Sequence, residues 1–162
     1  MLEHQSWLTW LQESALSAAM RQWAWLYPIV ETWHIISFAI LVGAIAMFDL
    51  RLLGFSRHLL VTDMAGHLLP WTYIGFGSAL LTGFLLFASD AEAIAANPAF
   101  RLKLGAIALA GVNAAMFHLY YSRSIQRWNR GIRAPVGVRA IAIFSLLLWA
   151  VAIVCGRLIA YI

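Results

Sequence analysis

Charged residues are scarce in this chain of 162 residues, since Asp, Glu, Lys and Arg together make up only 11% of it. A soluble domain carries about 25%. Hydrophobic residues reach 63%, and the mean hydropathy is +0.80. Such a chain cannot cover its surface with groups that water solvates, so lipid must cover it. The composition therefore excludes a soluble globular protein and indicates an integral membrane protein.

Cysteine is almost absent as well, because the chain has a single one, Cys155, inside an apolar run. This excludes a disulfide framework and a CxxC redox pair. The chain also lacks a GxSxG motif, a Walker loop and a GxGxxG turn, which excludes the common soluble hydrolase and nucleotide chemistries. Without an HExxH motif or a histidine-rich segment, a site for a bare metal ion is not favoured. The net charge of +4 is interpreted as a signal of membrane orientation, not of nucleic-acid binding.

Four apolar segments are long enough to cross a membrane, which takes roughly 20 helical residues. Because a backbone inside lipid must satisfy its own hydrogen bonds and the segments show no strand-like alternation, they are predicted to be helices. The predicted spans are residues 28–50, 69–88, 100–121 and 138–162. The predicted fold is all-α, with residues 1–162 forming a single domain, an integral membrane four-helix bundle.

Residues 5–20 precede the first span and place tryptophans and leucines on one helical face, with Gln5, Glu13 and other polar residues on the opposite face. At this length and polarity the segment is predicted to be an amphipathic helix lying in the membrane interface. A partly ordered tail is the alternative. The segment lacks the basic start and the cleavage site of a signal peptide.

Basic residues are distributed unequally between the two ends of the predicted bundle. The end that holds the first and third loops, called here the arginine-rich end, contains Arg51, Arg57, Arg123, Arg127, Arg130, Arg133 and Arg139. The opposite end contains Arg21, Arg101, Lys103 and Arg157. By the positive-inside rule, both termini are predicted to lie outside the cytoplasm, in a bacterial inner membrane. The arginine-rich third loop is interpreted as a topology determinant that touches anionic lipid, with a partner-docking site as the alternative.

Ionisable side chains inside the spans predict a site, because each costs roughly 2.5–3.5 kcal/mol to insert. At 1.5 Å per helical residue, His34 lies roughly 9 Å inside span one and Lys103 roughly 8 Å inside span three. Arg157 lies at a comparable depth in span four, and Glu31 lies one turn from His34. These four side chains are predicted to point into the bundle as one layer, at the end opposite the arginine-rich end.

A second group of candidate ligands lies near the arginine-rich end. His67 directly precedes the second predicted span, and His118 lies in the last turn of the third. They can share one metal ion if their helices turn them together, whereas His34 and His118 are roughly 16 Å apart along the membrane normal and cannot. Contact with water and lipid headgroups is the alternative for both histidines. Asn113 in the third span requires a partner across the bundle, and Asp49 is predicted to lie at the edge of the first loop.

Small residues recur every four positions in the second span, at Gly75, Ala79 and Gly83. This spacing lets helix backbones approach closely. It also leaves room for a flat macrocycle, and the sequence does not separate the two uses.

Four short motifs are spread over nearly the whole chain, at Trp33 to Phe38, Asp49 to Leu52, Leu69 to Trp71 and Asn97 to Lys103. Together they resemble a bacterial family of small four-span membrane proteins of uncharacterised function. The histidine early in span one and the lysine early in span three are also similar to the layout of four-helix membrane protoporphyrinogen oxidases that contain haem b. The likeness to copper-resistance D-type membrane domains is weaker. The oxidase resemblance implies haem bound near His34, with Lys103 as a ligand or a contact to carboxylates.

The residues themselves also support a haem hypothesis. Four-helix bundles host cofactors between facing helices, and imidazole is a usual iron ligand in haem proteins. His34 is then an axial ligand, while Arg157 and Lys103 contact the propionates; a second haem would lie between the histidines of the arginine-rich end. The candidate cofactor-binding residues are His34, Lys103, Arg157, Glu31, Asn113, His67 and His118, of which the three histidines are the candidate metal ligands.

The expected function is electron transfer or redox chemistry by one or two haem b groups, including porphyrinogen oxidation. Candidate partners are membrane lipid, a quinone, a porphyrin, a redox protein and a second copy of the chain. The alternative is a cofactor-free transporter of protons, metal ions or small molecules. In that alternative Glu31, His34, Lys103 and Arg157 form a buried network and the histidine changes charge near neutral pH. A scaffold or accessory subunit is a third possibility.

Overall fold

The computed structural model describes residues 7–162. Within this range the chain forms seven α-helices, one 3-10 helix and no β-strand. The helices are α1 (Trp7–Gln12), α2 (Ala15–Gln22), α3 (Leu26–Leu53), α4 (Val61–Ser89), α5 (Ala91–Ala96), α6 (Pro98–Tyr120) and α7 (Val136–Leu158), with the 3-10 helix at Ser122–Arg127. Helices α3, α4, α6 and α7 are long and apolar enough to cross a membrane. The predicted all-α membrane four-helix bundle is confirmed.

The long helices pack in pairs, with α3 against α4 and α7, and α6 against α7. A close approach of α3 and α4 lies at Gly75. A Cβ atom there would be 3.0 Å from the backbone nitrogen of Leu41 and 3.0 Å from the carbonyl oxygen of Ser37. Only a residue without a side chain fits so close to another backbone. At this position, the small-residue spacing of α4 serves helix packing.

Helix α4 differs most from its predicted bounds, because it begins at Val61 and not at residue 69. Pro70 directly follows the predicted start at residue 69, which would place it at the beginning of the helix; it lies inside α4 instead. The early start is stabilised by Asn129 from the loop before α7. Its carbonyl accepts from the Val61 nitrogen at 3.2 Å, and its side-chain oxygen accepts from the Thr62 nitrogen at 3.1 Å. These bonds satisfy backbone donors that a helix start otherwise leaves without partners.

Arg51 joins the two loops of the arginine-rich end. Its side chain is only 2% exposed. It donates to the carbonyl oxygens of Leu59 at 2.8 Å, Asn129 at 2.9 Å and Arg57 at 3.4 Å. The sequence grouped Arg51 with the charges that set membrane orientation. Because α3 continues to Leu53, Arg51 is instead enclosed between the end of that helix and the two loops.

Replacing Arg51 with alanine is expected to lower the free energy of unfolding by about 2–4 kcal/mol, because buried carbonyl oxygens lose their donor. For a chain of this size the melting temperature should fall by roughly 10 °C, measured by circular dichroism in mild detergent. Arg57→Ala is the control and should have little effect, since the Arg57 side chain is exposed and makes one bond, to the Gly54 carbonyl at 3.0 Å. Equal melting temperatures for Arg51→Ala and the unchanged protein would contradict this role.

The N-terminal segment forms two short helices, so the prediction of one helix over residues 5–20 is wrong. The break lies at Ser14, whose hydroxyl caps α2 by accepting from the Ser17 nitrogen at 3.3 Å. Ser17 is fully buried, and its hydroxyl donates to the Ala88 carbonyl at 2.7 Å. The segment is therefore fixed to the end of α4. Residues 5 and 6 of the predicted helix lie outside the described residues.

Candidate functional site

His34 is held by a hydrogen bond between its Nδ1 atom and the Thr82 hydroxyl of α4, at 3.0 Å. The same hydroxyl lies 2.7 Å from the Ser78 carbonyl, which can only accept. Thr82 has one hydroxyl proton and donates it to Ser78, so Thr82 must accept from His34. Nδ1 therefore carries a proton. In the neutral ring, Nε2 then has a free lone pair that can bind a metal or a proton.

A polar network beside Thr82 fixes the register of α3 against α4. The hydroxyls of Ser37 and Ser78 are 2.8 Å apart, and the Trp33 indole nitrogen donates to Ser78 at 2.9 Å. Ser37 also donates to the Trp33 carbonyl at 2.8 Å. Buried polar groups stabilise one arrangement only when each of them has partners. The network therefore holds the helix that carries His34 in a defined position opposite Thr82.

The His34 ring lies between a glycine and an aromatic ring. A Cβ atom on Gly83 would be 3.0 Å from His34 Cε1 and 4.0 Å from Nε2. The Phe38 ring, one turn further along α3, stacks on His34 with ring centroids 6.3 Å apart. The Phe38 ring also meets the edge of the Trp149 ring of α7, with centroids 5.9 Å apart. Gly83 thus provides the space that the imidazole occupies, while Phe38 connects it to the middle of the bundle.

Lys103 reaches the same layer from α6. Its ammonium lies 5.4 Å from the centre of the Phe38 ring, within the range of a cation–π interaction. It also lies against α7, because a Cβ atom on Gly156 would be 3.4 Å from Nζ. Phe38 is therefore in contact with both His34 and Lys103, and no acidic residue within residues 7–162 forms an ion pair with the ammonium. The structure thus brings His34 and Lys103 together and leaves the ammonium without a counter-ion from this part of the chain.

Glu31 and Arg157 do not join this layer, so the prediction that all four side chains point inward is wrong. Both are exposed. Glu31 is one residue beyond the buried Val30, which turns it roughly 100° from the interior stripe of α3. Arg157 bonds to the Tyr161 hydroxyl, and its guanidinium lies 4.8 Å from the centre of that ring. Arg157 therefore lies on the outer surface at the end of α7.

His67 and His118 are also exposed, and so is His58. The prediction that His67 precedes the second span is wrong, because α4 begins earlier and includes it. Neither α4 nor α6 turns its histidine toward the interior, which contradicts a metal site between His67 and His118. In the described part of the chain, no group of three or more His, Cys, Asp or Glu residues could hold a metal ion.

Two buried polar residues lie closer to the arginine-rich end. Asn113 has the partner that its depth requires, since its amide nitrogen donates to the Ile141 carbonyl of α7 at 3.0 Å. This amide therefore joins helices and is not directed at His34. Asp49 was predicted at a loop edge but lies inside α3 and is only 5% exposed. The signal that could have found it is the apolar run that continues through Leu52 and Leu53.

None of the known protein families, curated proteins and solved structures compared with this chain matches it. The resemblance to haem-containing oxidases therefore stays a prediction. Any chemistry assigned to this protein rests on its own residues. The most specific of these are His34 with its oriented ring and Lys103 with its unpaired charge.

Proposed function

We propose that this protein binds haem b within the membrane, with His34 as an axial ligand, and serves electron transfer or redox chemistry. The observation that supports the proposal most is the orientation of His34. Its Nδ1 proton is held by Thr82, which leaves Nε2 free as a donor. Histidines that bind metals usually donate their other ring nitrogen in this way, which fixes the tautomer and the ring plane.

The scarcity of ligands favours haem over a bare metal ion. A zinc or copper ion takes three or four protein ligands, and no suitable group exists among residues 7–162. A porphyrin brings four nitrogen donors, so one imidazole from the protein is enough, as in globins and peroxidases. Haem is therefore the metal cofactor for which His34 alone suffices.

The surroundings of His34 also fit this cofactor in their chemistry. Haem carboxylates require cationic partners, and Lys103 offers an ammonium that no acidic residue of the described chain neutralises. Glycines lie against both groups, Gly83 beside the imidazole and Gly156 beside the ammonium. In the proposal Lys103 holds a propionate, whereas Arg157 stays with Tyr161. Haem b, when bound, supplies a one-electron iron couple.

The transporter alternative is less well supported, because it required four charged or polar side chains in one buried network. Of these four side chains, only His34 and Lys103 face the interior, while Glu31 and Arg157 are exposed. Quinones, porphyrins and redox proteins are the partners proposed for the haem. The excess of arginines at one end supports the proposal that this end faces the cytoplasm and both termini lie outside.

The visible spectrum of the protein tests the proposal. Protein purified in mild detergent from cells with ample haem is expected to show a Soret band, with α and β bands after reduction by dithionite. A colourless preparation overturns the proposal and favours the transporter. If the bands are present, oxidation of protoporphyrinogen with a quinone acceptor distinguishes an oxidase from an electron carrier.

Thr82→Val is expected to weaken haem binding by roughly 10–100-fold, because the hydrogen bond that orients His34 is lost. The reduction potential should become more positive, since an imidazole without this bond donates less electron density to iron. Haem titration and a spectroscopic redox titration measure the two effects. Thr72→Val is the matched control, since the Thr72 hydroxyl of the same helix bonds only within α4, to Leu68 at 3.0 Å. Equal changes in both variants would contradict a specific role for Thr82.

A further inference from the structure

Asp49 lies between two apolar clusters of the bundle core. Its side chain is 5% exposed, although a charged residue is almost never buried to this extent without a partner. The clusters are built around Leu52, Phe117 and Val138 toward the arginine-rich end, and around Leu41, Ala110 and Trp149 toward the middle of the bundle. Apolar side chains therefore separate this carboxyl group from both membrane surfaces.

The carboxyl group has fewer partners than an ionised acid needs. The Ser145 side chain of α7 lies beside it, and Ser145 is itself buried at 7% exposure. The Oδ2 atom of Asp49 is buried and makes no hydrogen bond within the described residues. No cationic side chain of residues 7–162 forms an ion pair with it. An unpaired carboxylate in such surroundings would be strongly unfavourable.

The other ionisable groups near this end of the bundle do not provide Asp49 with a counter-ion. On α4, Asp63 and His67 are exposed, and on α6, His118 is exposed. Arg51 lies two residues further along α3, but its guanidinium is occupied by loop carbonyls. On α7, Arg139 is partly buried, and its Nε atom has no hydrogen-bond partner in the described chain. Arg139 is therefore a cation of α7 that has a donor without a partner in this part of the chain, and the test below includes it.

We propose that Asp49 is a proton-binding site within the membrane, formed with Ser145. A proton binds to Oδ2 and converts the carboxylate into a neutral acid, with no electron transferred. This O–H group removes the buried charge, and the Ser145 hydroxyl beside it is available as a hydrogen-bond partner. The site is a candidate for proton uptake inside the bundle. It does not depend on haem at His34.

A proton fits this site better than a metal cation does. Hard cations such as Ca²⁺ take about six to eight oxygen ligands. The neighbourhood supplies one carboxyl group and one hydroxyl, and the amide nitrogen of Asn113 is engaged with Ile141. A single bound proton needs no further ligand from the protein. Ionisable residues inside membrane bundles commonly serve such proton relays.

Infrared spectroscopy of the protein in lipid vesicles at neutral pH tests the proposal. The expected result is the carbonyl band of a protonated carboxylic acid, which moves in heavy water and is lost in Asp49→Asn. In Ser145→Ala the band should shift to higher frequency, because the carboxyl group loses the hydroxyl beside it as a hydrogen-bond partner. Asp63→Asn is the matched control: Asp63 is an exposed aspartate of α4, and its removal should leave the band unchanged.

The stability of the variants provides the second measurement. Asp49→Asn should melt at or above the temperature of the unchanged protein, since a neutral amide replaces a neutral acid of similar shape. Absence of the Asp49-dependent band, together with lower melting temperatures for both Asp49→Asn and Arg139→Gln, would overturn the proposal. That outcome would show an ionised Asp49 linked to Arg139 through water. Because neither measurement involves haem, failure here is distinguishable from failure of the haem proposal.

Discussion

Protein with His34→Ala is expected to lose essentially all of its Soret absorbance and to remain folded. The fold should persist because the change removes one side-chain hydrogen bond, to Thr82, which contributes about 1 kcal/mol. Haem binding should not persist, because His34 is the only histidine of residues 7–162 that is not exposed. The haem content per polypeptide, from the pyridine haemochrome spectrum, and the melting temperature in detergent measure the two properties together.

Two controls make this experiment specific. His67→Ala and His118→Ala remove exposed imidazoles of α4 and α6 and should leave the Soret band unchanged. Free imidazole should restore haem binding to His34→Ala, since it can enter the space that the side chain leaves beside Gly83. An unchanged spectrum in His34→Ala, or an equal loss in all three variants, would place the haem elsewhere.

The sequence predicted the fold well because hydropathy alone determines which segments cross a membrane. The sequence also gives the position of each residue along its helix, since each helical residue advances by 1.5 Å. The rotation of each helix about its own axis determines which side chains face the interior. The sequence contained little information about this rotation. Helix α3 has large apolar side chains on its exposed face, such as Ile35 and Ile36 beside His34, so no polar face indicates which side meets lipid.

The errors in the predicted site arise because the sequence did not indicate how each helix is rotated about its axis. Glu31 and Arg157 lie within α3 and α7, as predicted, but on the outer faces of these helices. The polar partners that turn His34 inward, Thr82 and the network at Ser78, lie on another helix, so no spacing within span one could reveal them. Asp49 was missed for a different reason. The basic residues Arg51 and Arg57 suggested a loop, whereas the backbone remains helical to Leu53.

Gly83→Val is expected to reduce haem binding as strongly as His34→Ala does, although it leaves every proposed ligand in place. A Cβ atom at this position would already lie 3.0 Å from His34 Cε1, closer than unstrained atoms pack, and valine adds two methyl groups. The imidazole must then move away from α4. Its bond to Thr82 and the direction of Nε2 change together, and a displacement of about 1 Å is enough to impair such a site.

Gly77→Val is the matched control for this effect. Gly77 lies on the same helix, and a Cβ atom there would meet nothing within 4 Å. Both variants place the same β-branched residue in α4, so any general effect on the helix is shared. Haem loss in Gly83→Val with a normal spectrum in Gly77→Val would assign the small residue at position 83 to the site. A normal spectrum in both would instead mean that the His34 ring has room to move, and that Gly83, like Gly75, serves only helix packing.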